Sequence, residues 1–122
     1  MNVLIVEDSG PMRRLIKEIV SGLADEVHEC GDGADALAAY VLHRPDFVLM
    51  DIRMDLVDGI KATRRIKAAD PAARIIIVTD YDQADLREGA RQAGACAYVV
   101  KENLLELVRF LQEQSANPSQ SP

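Results

Sequence analysis

The chain is short of cysteine, of excess positive charge and of long apolar runs, and each shortage removes a class of protein. Its two cysteines, Cys30 and Cys96, form neither a metal-ligand nor a redox spacing. Both lie among apolar residues and read as small core side chains in a reducing compartment rather than as a disulfide. Lys and Arg number 14 against 20 Asp and Glu, a net charge of −6, so the global basic footprint of a nucleic-acid binder is missing. That balance suits cations or basic partners, and solubility alone also accounts for it. No apolar run approaches the roughly 18 residues that cross a bilayer. The N-terminus has neither the basic region nor the cleavage site of a signal peptide. The expected setting is the cytoplasm, with no membrane contact, and no internal repeat points to a solenoid.

What is present is one domain's worth of chain. At 122 residues and 48% hydrophobic composition it can bury a genuine core. Short apolar runs predict strands at Val3–Val6, Glu26–Cys30, Phe47–Met50, Arg74–Val78 and Cys96–Val100. Three of them are nearly continuous, as in strands covered on both faces. Helical periodicity fills the gaps. Met12, Leu15, Ile16, Ile19, Val20 and Leu23 make one stripe, with Pro11 suited to its first turn. Ala34 to His43, Gly59 to Ala69 and Gln83 to Ala93 follow, ended by Pro45, by Asp70-Pro71 and by Gly94. Leu104, Leu107, Val108 and Leu111 line a fifth helix. Strand then helix, five times over, predicts an α/β fold: a doubly wound five-stranded parallel sheet, (βα)5, with helices on both faces. The polar "EQSANPSQSP" after Gln112 reads as a disordered tail or the start of a linker.

Sites in such a sheet form beyond the carboxyl ends of its strands. The first strand, in "NVLIVEDS", delivers Glu7 and Asp8; the third, "DFVLMD", delivers Asp51; the fourth, "RIIIVTD", Thr79; the fifth, "CAYVVK", Lys101. Singly, such residues cap helices or solvate loops. Together, three carboxylates crowd one edge, where repulsion raises at least one pKa and a divalent cation removes the conflict. Hard oxygen ligands with open positions suit Mg²⁺. Asp51, central on that edge, can be both a ligand and a nucleophile that takes phosphorus as an acyl phosphate. Lys101 would add positive charge and Thr79 a hydroxyl donor.

These pieces in order, "LIVEDS", "PDFVLMDIRM" with Asp58-Gly59, "IIIVTD" and "GACAYVVK", resemble a response-regulator receiver domain of two-component signal transduction, over about residues 2–112. The resemblance implies a flavodoxin-like fold with strand order 2-1-3-4-5, a receiver over 1–113 and a tail over 114–122. It implies that Asp51 is the phosphoacceptor, fed by a sensor histidine kinase or a histidine phosphotransfer protein, in a signalling domain rather than an enzyme acting on other substrates. It implies Mg²⁺ (or Mn²⁺) held by Asp8, Asp51 and the Arg53 backbone carbonyl, with Glu7 acting largely through water. Thr79 and Lys101 would contact the phosphoryl group. Tyr98, three residues before Lys101, would be the switch aromatic that changes the surface of the fourth helix, fifth strand and fifth helix, also the expected homodimer face. No direct nucleic-acid binding by this chain is expected.

Three positions depart from the family's common pattern: Asp55 follows Met54, Asp80 follows Thr79 and Glu102 follows Lys101. With Glu102 in place of a proline, a trans Lys101–Glu102 bond is expected, since a cis bond there costs about 2.5–4 kcal/mol. Asp55 and Asp80 make the rim strongly anionic; Asp80 is expected to disfavour small anionic donors such as acetyl phosphate. Arg53 and Tyr81, two residues beyond Asp51 and Thr79, are expected to flank the line of water attack and lengthen the phosphoryl lifetime. Arg53 could equally pair with Asp55 or Asp82. The alternatives are a degenerate receiver that docks partners without phosphorylation, and the receiver part of a longer transcriptional regulator. A flavodoxin or hydrolase on the same fold is disfavoured by the acidic "EDSGPM" after the first strand.

Overall fold

The structure is a computed structural model, and it describes residues 1–116. Five strands, β1 (Asn2–Val6), β2 (Glu26–Cys30), β3 (Phe47–Met50), β4 (Ile75–Thr79) and β5 (Ala97–Val100), alternate with five helices: α1 (Gly10–Val20), α2 (Ala36–His43), α3 (Gly59–Ala69), α4 (Ala84–Ala93) and α5 (Leu105–Ala116). The sheet is parallel throughout, in the order β2-β1-β3-β4-β5, as the sequence predicts. Every residue of β3 and β4 is buried, which explains why both read as unbroken apolar runs.

Strand alternation divides the core into two halves. Leu4, Val6, Val48, Met50, Ile75 and Ile77 face one layer, against Tyr40 of α2, Ile66 of α3 and Ala90 of α4. Val3, Ile5, Leu49, Ile76, Val78 and Val99 face the other, against Ile16 and Val20 of α1 and Leu107 and Leu111 of α5. Burying each of the larger aliphatic side chains is worth about 1.5–3 kcal/mol, so the two layers hold the sheet rigid and its carboxyl edge with it.

The ends of elements are where the sequence expectation slips. Ala34 and Asp35 belong to a 3-10 turn, Gly33–Asp35, and α2 starts only at Ala36. α1 stops at Val20, while Leu23 packs on the same core from the turn beyond. Arg74 and Cys96 fall just outside β4 and β5. Cys96 is exposed, which corrects its reading as a core residue; it precedes a strand whose own residues supply the burial. α5 continues through Ala116, past the expected start of a tail at 114. The rest of that expected tail, 117–122, lies outside the described residues. No cis peptide occurs among the described residues, so the Lys101–Glu102 bond is trans as expected.

Candidate phosphoacceptor site

Register brings the acidic residues to one place. Val6 of β1 lies opposite Met50 of β3, so Glu7 and Asp51 leave neighbouring strands at the same level. The Asp51 N–H donates to the Val6 carbonyl at 3.0 Å and the Glu7 N–H to the Cys30 carbonyl at 3.1 Å, extending the ladder one residue past each strand. Oxygens of Glu7, Asp8 and Asp51 lie within 4.8 Å of one another. Glu7 and Asp51 are buried, at 2% and 7% exposure; Asp8 is exposed at the rim. Thr79 is fully buried at the end of β4, and its hydroxyl accepts from the Tyr81 N–H at 3.5 Å.

Lys101 follows β5 directly and reaches back into this cluster. Its ammonium stands 2.6 Å from Glu7, 3.5 Å from Asp51 and 3.9 Å from Asp80. The Glu7 contact is with Oε1, a buried oxygen that has the Lys101 ammonium as its ion-pair partner. Burial pushes the Glu7 carboxyl up to about 7, against the pull of Lys101 and of the Ser9 N–H. Burial likewise raises Asp51, partly offset by Lys101 and by the Ile52 N–H, which donates to Asp51 Oδ1 at 2.8 Å. For Lys101 burial works in the lowering direction, but the carboxylates of Glu7, Asp51 and Asp80 outweigh it and hold the ammonium above its ordinary value. One cation for two buried carboxylates, with the Asp8 carboxylate beside them, leaves a charge deficit. A set of hard oxygens in that state fits a divalent metal such as Mg²⁺.

The rim carries the unusual residues. Arg53 is exposed, and its guanidinium lies 4.4 Å over the Tyr81 ring. Of the two carboxylates open to it as alternative partners, Asp55 and Asp82, the second meets Arg87 at 2.5 Å instead. The Tyr98 hydroxyl donates to the Tyr81 carbonyl at 2.5 Å, and Arg87 covers the Tyr98 ring at 4.6 Å. Asp80 is largely exposed. The sequence reading missed two residues. Arg13 donates to the Glu7 carbonyl at 2.7 Å and pairs with Glu29 at 3.3 Å, bracing the turn that carries the acids. Asp32 accepts from backbone N–H groups of the loop after β3. Within the sequence Arg13 reads as one more solvated helix residue and Asp32-Gly33 as an ordinary turn.

An acidic cluster with one buried lysine, at the carboxyl edge of a 2-1-3-4-5 sheet, is the layout of a signalling receiver. Residues 3–112 match the response regulator receiver domain family, and the chain belongs to that family. Transcriptional regulatory protein PdtaR of Mycobacterium tuberculosis is 44% identical over 100 residues, 81% of this chain and 48% of that protein. This chain therefore spans about half the length of that relative. Chemotaxis protein CheY of Bacillus subtilis is 43% identical over 100 residues, 81% of this chain and 83% of its own length. Among solved structures, a LuxR-family two-component response regulator from Aurantimonas sp. SI85-9A1 superposes with a TM-score of 0.86 at 30% identity, over 94% of this chain and 84% of that one.

Proposed function

We propose that this receiver accepts a phosphoryl group on Asp51 from the phosphohistidine of a sensor histidine kinase or histidine phosphotransfer protein. Mg²⁺ or Mn²⁺ would be held by Glu7, Asp8, Asp51 and the Arg53 backbone carbonyl. The observation that carries this reading is the buried Asp51 carboxylate, 3.5 Å from the Lys101 ammonium and within 4.8 Å of the Glu7 and Asp8 oxygens.

In the transfer, an Asp51 oxygen forms a bond to phosphorus as the phosphorus–nitrogen bond of the donor breaks and the imidazole leaves with the electron pair. Ile52 fixes the carboxylate through its N–H, so attack starts from an oriented nucleophile. Lys101 keeps its proton and offers an N–H to a phosphoryl oxygen; the Thr79 hydroxyl offers an O–H to another. The bound cation supplies neutralisation of phosphoryl charge. The product carries new charge and acceptor oxygens beside Thr79. Thr79 turns toward them, Tyr98 follows into the space it leaves, and the α4-β5-α5 surface changes for an output partner or a second copy. A chain covering half of PdtaR also fits the receiver portion of a longer transcriptional regulator, with the same chemistry at Asp51.

Mass spectrometry after incubation with phosphoramidate and with acetyl phosphate, with and without Mg²⁺, tests the reading on wild type and Asp51→Asn. One phosphoryl adduct, dependent on metal and lost in the variant, supports it. Mg²⁺ binding without an adduct from any donor, a phosphohistidine protein included, favours the docking module that is never phosphorylated.

A further inference from the structure

The segment 51–58 after β3 carries Asp51 and Arg53, and it is tied down at two points. At its base the Gly59 N–H donates to the Ile52 carbonyl at 2.7 Å. At its far limb the tie comes from another loop, between β2 and α2. Asp32 Oδ2 accepts from the Leu56 N–H at 3.0 Å and Oδ1 from the Val57 N–H at 3.0 Å. The same Oδ1 accepts from the Ala34 N–H at 2.8 Å. Burial is the largest single effect on the Asp32 carboxyl and acts to raise it, but the Ala34, Leu56, Val57 and Asp55 N–H groups together outweigh it and hold the carboxyl below its ordinary value.

Local structure does not require this arrangement. Capping the 3-10 turn uses the Ala34 N–H alone; the contacts to Leu56 and Val57 span 24 and 25 residues. The neighbouring Gly33 confirms how closely the two loops dock. A Cβ there would collide with the Val57 carbonyl oxygen and crowd Ala62 Cβ at 3.2 Å. Charge-assisted hydrogen bonds of this kind are about twice as strong as neutral ones. Asp32 is not one of the clustered oxygens of Glu7, Asp8 and Asp51, so its effect on that site is through the loop.

We infer that Asp32 is a positioning residue for divalent-cation binding, clamping the Leu56–Val57 limb so that Asp51 and the Arg53 backbone carbonyl keep a fixed relation. The inference rests on the proposed cation site and names what holds one side of it in place. Supporting residues outside a metal's own ligands change affinity by about 10–100-fold when removed.

The test is Mg²⁺ titration by calorimetry, with amide hydrogen exchange at Leu56 and Val57, on wild type, Asp32→Ala, Asp32→Asn and Asp70→Asn. Asp70 is the control: it too caps a turn, accepting from the Ala72 N–H and the Tyr40 hydroxyl, but in the α3–β4 connection. Asp32→Ala is expected to weaken Mg²⁺ by about tenfold and to speed exchange at both amides. Asp32→Asn, which keeps one acceptor oxygen, falls between. Asp70→Asn keeps wild-type Mg²⁺ affinity whatever its melting temperature. Wild-type affinity in Asp32→Ala, or equal weakening in Asp70→Asn, overturns the inference. Wild type that binds no Mg²⁺ overturns the proposed cation site itself, and this inference with it.

Discussion

The Arg53 guanidinium lies over the Tyr81 ring at the rim, its carbon 4.4 Å from the ring centroid. Each lies two residues beyond a strand-end residue of the site, Arg53 after Asp51 and Tyr81 after Thr79, so the stack bridges two adjacent strand ends. If Asp51 carries the proposed acyl phosphate, the stack is expected to stand in the way of attacking water. A cation–π contact at an exposed site contributes about 0.5–1 kcal/mol. Arg53→Ala is expected to release phosphate roughly two- to fivefold faster than wild type, the rate equivalent of that energy. Decay of phosphorylated protein followed by mass spectrometry reads this directly, and unchanged decay removes the stack from the account. Tyr81→Leu should act in the same direction and add little in the double variant.

Asp80 is expected to set a charge barrier for small donors. Its carboxylate is 3.9 Å from the Lys101 ammonium yet largely exposed, so it both competes for that cation and repels an incoming anion. One charge several ångströms away in water is worth about 0.6 kcal/mol. Asp80→Ala is therefore expected to react with acetyl phosphate roughly threefold faster at low ionic strength, with the advantage shrinking as salt is added. Equal initial rates at low salt would contradict it.

Gly59 has a steric reason for being glycine. A Cβ there would collide with the Asp51 carbonyl oxygen and press on Met50 Cγ at 2.9 Å. Gly59→Ala is expected to lower stability by about 1–3 kcal/mol, as overpacking does, and to depress phosphorylation because the displaced backbone is that of Asp51. Denaturant unfolding and adduct yield check the two halves separately.

Tyr40 gives the fold a signature at high pH. Its hydroxyl donates to Asp70 at 2.7 Å; burial and the Asp70 carboxylate push its pKa from 10.0 up to about 12. Because the folded state favours the neutral phenol, this contribution is complete below pH 10.0 and is lost as pH rises through about 12. Wild type should lose melting temperature over that window more steeply than Tyr40→Phe. The variant should start lower at neutral pH, where the hydrogen bond is missing. Parallel profiles would show that the pair is not coupled to folding.

The sheet and the acids at its edge were legible because their causes are local and periodic. β3 and β4, buried on both faces, could hardly be other than apolar runs, and the residue after each such run falls on the functional edge by geometry alone. Glu7, Asp8, Asp51, Thr79 and Lys101 were found that way, and the structure sets Glu7, Asp8, Asp51 and Lys101 in contact range. What stayed hidden depends on contacts between segments far apart in sequence. Nothing around Asp32 announces that its carboxylate meets amides 24 and 25 residues away. Arg53 offered carboxylates nearby as partners, and only the fold shows an aromatic ring within reach. Cys96 looked buried because its neighbours are apolar, but the strand that buries them begins one residue later.

The most direct test of the account is to reduce the phosphorylated protein with borohydride, which converts an aspartyl phosphate to homoserine, and to map the product by peptide mass spectrometry. The account predicts homoserine at position 51 alone, absent when Mg²⁺ is withheld during phosphorylation. Homoserine at Asp8 or Asp58, or a phosphoryl adduct that resists reduction, would contradict it.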